Sequence, residues 1–117
     1  MYKQNYGNYT PPEKLIQLIE LQQRLEAEKL LPYGDLLGLY FGLEHIENRY
    51  MNTPLDAISF ARPGIDGIHY AFLTYFGAAS TLNEAFIIRV SPMDFEQPIQ
   101  LVAHNLKDFI NLLFLYT

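Results

Sequence analysis

The stretch Ala57-Ile58-Ser59-Phe60-Ala61-Arg62-Pro63-Gly64-Ile65-Asp66-Gly67-Ile68-His69-Tyr70-Ala71-Phe72-Leu73-Thr74-Tyr75 decides the fold. Two apolar runs flank a turn. Arg62 to Gly67 holds one proline, two glycines and an Asp66-Gly67 step, which suits positive φ angles. In the run from Ile68 to Tyr75 successive side chains alternate between two faces, as in a strand. Ile68, Tyr70 and Phe72 share one face; His69, Ala71 and Leu73 share the other. Both sets are largely apolar, so this strand is expected at the centre of a sheet, with Ala57 to Ala61 beside it.

Downstream the period stays at two. Gly77 to Asn83 reads as a loop and Phe86 to Ser91 as a third strand, with Phe86, Ile88 and Val90 on one side. Pro92 to Pro98 is a hairpin-like loop, and Ile99 to Ala103 a fourth strand. Asn105 then caps a last helix, with Asp108 in the reciprocal position. Phe109, Ile110, Leu112, Leu113 and Leu115 supply its core face.

Upstream the period is helical. Thr10-Pro11-Pro12-Glu13 reads as a capped start, with Pro11 in the first helical position. Leu15, Leu18, Ile19, Gln22 and Leu25 follow at helical spacing, with Glu20 and Arg24 paired on the other side. A helix is expected from about Pro12 to Leu30, stopped by Pro32. Asp35 is expected to cap a second, shorter helix carrying Leu36, Leu37, Leu39, Tyr40 and Phe41, ended by Gly42. Gly34, Gly38 and Gly42 recur every four residues and would let a neighbour pack closely. Glu44 to Tyr50 is a charged connector, and Asn52-Thr53-Pro54 a turn.

The predicted class is α+β: an antiparallel meander sheet of about four strands, covered on one face by N-terminal and C-terminal helices. Residues 1–10 are expected to form a flexible N-terminal arm, and 11–117 a single domain.

Composition narrows the function. Half of the 117 residues are hydrophobic and 15% aromatic, too many for a disordered chain. There is no cysteine, which excludes disulfides and thiolate metal sites and suits a cytoplasmic location. No stretch is long and apolar enough to cross a bilayer; the apolar run from Phe109 to Tyr116, interrupted by Asn111, is too short. The net charge of −5, with no basic run, argues against nucleic acid; it suits a basic protein partner, though on charge alone the simpler reading is that it keeps the chain soluble.

No reaction centre is evident. His45, His69 and His104 fall on three separate elements, without metal-ligand spacing. Ser59, Ser80 and Ser91 lie outside any nucleophile elbow. Turn chemistry accounts for Asp66 and Asp94. No phosphate-binding loop occurs, so neither cofactor nor metal is expected. The chain does carry nine Tyr and eight Phe, and Tyr2, Tyr6, Tyr9, Tyr33, Tyr50 and Tyr75 fall in predicted loops or ends. Exposed tyrosines are favoured at protein interfaces, where a rigid ring combines area with one polar tip.

Three segments together resemble the SUKH superfamily of cell-wall-synthesis regulators and bacterial immunity proteins. They are Leu31 to Gly42, with its proline and spaced glycines; Phe60 to Tyr70, with its Asp-Gly hairpin; and Val102 to Ile110, a closing strand and helix. Their order and spacing span about Leu15 to Leu113. The stretch Gly77 to Glu84 has the form associated with bacterial members. The resemblance implies an α+β, non-catalytic domain that neutralises a toxin of the nuclease or deaminase class by binding it. Exposure and charge nominate Asp35, Glu44, Glu47, Asp66, Asp94 and Glu96, with Tyr33 and Tyr75, as partner-binding residues. The alternatives are a regulatory or scaffold domain of a longer polypeptide and, third, a small enzyme or small-molecule binder. The oligomeric state stays open.

Overall fold

The strand expected at the centre of the sheet occupies the centre. The computed structural model describes residues 6, 9–43, 57–64, 67–74 and 79–115. Their elements run α1 (Glu13–Ala27), β1 (Tyr40–Phe41), β2 (Ala57–Arg62), β3 (His69–Leu73), a 3-10 turn (Leu82–Glu84), β4 (Phe86–Val90), β5 (Ile99–Ala103) and α2 (Leu106–Leu115). The five strands lie in the order β1-β2-β3-β4-β5, every pair antiparallel. This is the predicted α+β meander with one strand more.

The alternation in β3 sorts the core. Phe72 is fully buried on the helix-covered face with Ile58, Phe60 and Ile87, joined by Leu15 of α1 and by Leu106 and Phe109 of α2. Phe60 stacks on Phe72 at 4.5 Å and meets Phe109 edge-on at 5.5 Å. Ring pairs of this kind add about 1 kcal/mol beyond the area they bury. Ala57, Ala71, Ile88 and Val90 form a second buried cluster on the opposite face.

The helix ends differ from the sequence reading. Pro12, not Thr10, is the N-cap of α1, and its carbonyl accepts the amides of Leu15 and Ile16. The helix stops at Ala27, ahead of Pro32. Lys29 takes φ +60°, the Leu30 amide returns to the Leu25 carbonyl and the Lys29 amide to that of Glu26. That pair of bonds is a Schellman stop, usually built on glycine. At the other end of the chain the expected cap holds: Asn105 Oδ1 accepts the Asp108 amide at 2.8 Å.

The second predicted helix is a correction. Leu36 and Leu39 exchange both backbone hydrogen bonds, at 2.8 and 3.0 Å, around a two-residue loop. Leu37 has φ +57° and Gly38 φ +82°. Two successive positive φ angles make a type I′ hairpin turn and are incompatible with a right-handed helix. Tyr40 and Phe41 then add β1 to the sheet opposite Arg62 and Ala61.

The lead is tied to the domain at both of its described tyrosines. Tyr6 is 1% exposed within the main core, and the Tyr9 hydroxyl donates to the Ala79 carbonyl at 2.7 Å. Burial pushes the Tyr6 phenol well above the usual tyrosine range. The neutral form is favoured in the fold, so this stability is complete below the unfolded pKa near 10 and lost as pH rises beyond it. Above about pH 10 the wild type should lose up to about 1.4 kcal/mol per pH unit more than Tyr6→Phe. Urea unfolding at pH 9, 10 and 11 measures this; parallel pH profiles for the two proteins would refute it.

Candidate binding surface

The meander gathers three connections at one end of the sheet. Tyr40 pairs with Arg62, His69 with Val90, and Val90 with Ile99. The α1–β1 segment, the β2–β3 turn and the β4–β5 loop therefore leave the sheet together. Tyr33 and Asp35 belong to the first, Asp94 and Glu96 to the third. Asp66 belongs by sequence to the β2–β3 turn, but with Glu44, Glu47 and Tyr75 it lies outside the described residues.

Tyr40 binds two of these segments. Its hydroxyl donates to the Tyr33 carbonyl at 2.8 Å, and the Arg62 guanidinium sits 5.2 Å from its ring centroid. Gly64, at φ +82°, lies against the same ring, where a Cβ would come within 3.2 Å of it. The positive φ is what calls for glycine here, and a Cβ would in addition press on the Tyr40 ring. The arrangement fixes the backbone of Tyr33 while leaving its side chain 82% exposed.

In the β4–β5 loop Asp94 has the structural task that its turn setting implied. Its Oδ1 accepts the amides of Glu96 and Gln97 at 3.2 and 3.1 Å, and its own amide donates to the Ser91 carbonyl. The loop displays Glu96 to solvent, and with it two side chains that sequence reasoning passed over: Phe95 at 86% exposure and Met93 at 62%. The available signal was an isolated ring between two acids, Asp94 and Glu96, in a proline-bounded loop.

Two grooves flank α2. One, of about 560 Å³, is apolar and runs between the Leu37–Gly38 turn, Pro63, Tyr70 and the Leu112–Leu113 side of α2. The other, of about 460 Å³, lies between β5 and α2 and holds both His104 and Asp108. Those two side chains are exposed and not hydrogen-bonded to each other; the His104 ring instead meets Phe86 edge-on at 5.7 Å. An acid–base pair needs mutual geometry and enclosure, and this pair has neither. His69 is buried with Nδ1 3.0 Å from the Gly67 carbonyl, an ordinary core contact at the start of β3. Among the described residues no group of three His, Asp or Glu could hold a metal ion, and no helix is long and apolar enough to cross a membrane.

The chain matches no family model, no curated protein and no solved structure. The SUKH resemblance stands on the three sequence segments alone. What the geometry adds is local: at one end of the sheet, exposed Tyr33, Phe95 and Glu96 with half-buried Asp35 and Asp94, and an apolar groove beside the Leu37–Gly38 turn.

Proposed function

We propose that the protein is a non-catalytic binding domain, an immunity-type protein that neutralises a toxin of the nuclease or deaminase class by direct contact. The reading rests on one observation. Tyr33 and Phe95, both more than four-fifths exposed, stand on loops at the same end of the sheet, each with acids next to it in the chain, Asp35 by the first and Asp94 and Glu96 by the second. Aromatic anchors ringed by charge are what binding hot spots are made of, and acids suit the basic face of a protein that handles nucleic acid. The apolar groove between the Leu37–Gly38 turn and α2 would receive an anchor side chain from the partner.

The test is co-expression with a toxin domain encoded beside the gene, and the absence of any such domain counts against the reading. Co-expression should restore growth, and the purified pair should associate in titration calorimetry. Tyr33→Ala and Phe95→Ala, each at an exposed position, should weaken binding by about 10- to 100-fold together, with unfolding curves unchanged. Failure to bind, or turnover of a substrate that one polar substitution abolishes, refutes the reading.

A further inference from the structure

The two edges of the sheet are treated differently. At β1 the outward amide and carbonyl of Phe41 are both taken by the Gln22 side chain, at 2.9 and 3.0 Å. At β5 no described residue pairs with the outer side. Which groups face outward follows from a single hydrogen bond. The Ser91 amide donates to the Pro98 carbonyl at 2.7 Å, so Pro98 faces β4. Backbone direction alternates along an antiparallel strand, so Gln100, opposite Arg89, also faces β4. Ile99 and Leu101, opposite Val90 and Ile88, turn their amides and carbonyls away from the sheet. Their side chains are 42% and 55% exposed, on the face opposite the one that α1 and α2 cover.

Natural edge strands are guarded by charge, proline or a bulge. The outward stretch of β5 has none of these: Ile99 to Ala103 carries no charge, and its irregularity falls beyond Leu101. We infer that a second copy of this chain pairs antiparallel with β5 across a two-fold axis through Gln100.

Two features favour a second copy over a foreign strand. The first is self-complementarity. In this register Ile99 exchanges two hydrogen bonds with the partner's Leu101, and Leu101 two with the partner's Ile99. The four outward groups on each strand are then all satisfied, as an isologous contact requires. Sliding the axis onto Ile99 or Leu101 would leave one of those residues facing a loop. The second feature is charge. Two chains of net charge −5 repel except where the contact is neutral or complementary. The strand itself is neutral.

The absence of cysteine makes the test specific. At the two-fold axis Gln100 would face its copy as a non-hydrogen-bonded pair, with Cα atoms about 4.5 Å apart, inside the disulfide range. Gln100→Cys should therefore oxidise to a covalent dimer, while Glu28→Cys, exposed at the end of α1, should not. Sedimentation equilibrium of the wild type should give twice the 13.6 kDa chain mass. Ile99→Lys combined with Leu101→Lys should raise the dimer dissociation constant at least tenfold while the circular dichroism spectrum stays that of the folded wild type. A wild type that sediments as one chain at every concentration overturns the inference. So does a dimer that survives the double lysine substitution, or one in which Gln100→Cys cross-links no faster than Glu28→Cys. The test needs no partner protein, so its outcome is separate from that of the proposed function.

Discussion

Replacing Phe60 by alanine should destabilise the protein by about 3–5 kcal/mol, enough to unfold a marginal domain. Phe60 is 2% exposed and is the ring through which β2, β3 and α2 meet, stacked on Phe72 and edge-on to Phe109. Truncation removes the transfer free energy of the ring and opens a cavity under α2 that two rigid neighbours cannot collapse to fill. Urea unfolding at pH 7 measures the loss. Phe60→Leu, which keeps most of the volume, should cost less than half as much. A loss below about 1 kcal/mol for Phe60→Ala would show that the core repacks freely and that the three rings are not its framework.

The second large effect is expected at Gln22. This side chain is an amide on a helix face that otherwise reads as apolar, and it is buried. It completes the hydrogen bonding of Phe41 with both of its polar atoms, much as another strand would. Gln22→Leu keeps the volume and removes both partners. Two buried backbone groups are then left unsatisfied, at about 1–3 kcal/mol each, so the expected loss is about 2–4 kcal/mol. Gln22→Glu keeps an acceptor for the Phe41 amide and should fall between wild type and Gln22→Leu. Hydrogen exchange gives a local readout. Protection of the Phe41 amide should drop sharply in Gln22→Leu and less in Gln22→Glu. Unchanged protection in Gln22→Leu would mean that water or another group serves β1 equally well.

How far the sequence discloses this molecule depends on which signal carries each part. Strands β2 to β5 are legible within one or two residues, because a period of two persists from Ala57 to Ala103 and is broken only by turn residues. The segment from Asp35 to Gly42 is not legible in the same way. Leu36, Leu37, Leu39, Tyr40 and Phe41 suit a short helix as well as a hairpin and strand. What decides between them is the positive φ of Leu37, a conformation that leucine seldom adopts and no pattern announces. The stop of α1 is hidden for the same reason, since Lys29 stands where a glycine would have signalled the Schellman bonds. Spacing puts Gln22 on the inward face of α1, but its bond to β1 depends on a strand whose residues fit a short helix equally well.

Of the candidate surface, the placement of four residues is legible. Loop position and charge bring Tyr33, Asp35, Asp94 and Glu96 to one end of the sheet. Phe95 and Met93 escaped because apolar residues are ordinarily assigned to a core. Asp94 shows how one residue serves two readings: the carboxylate nominated for contact is engaged in shaping the loop that presents Phe95 and Glu96.

The strand order has a kinetic consequence. Every strand pairs with its predecessor in the chain, so the sheet can assemble one strand at a time, and no step closes a connection longer than the fifteen residues between β1 and β2. The late event is the docking of α2, which carries Phe109 onto Phe60 across nearly fifty positions of sequence. Until it arrives, the rings of β2 and β3 face water, and a chain halted there would be the species most prone to aggregate.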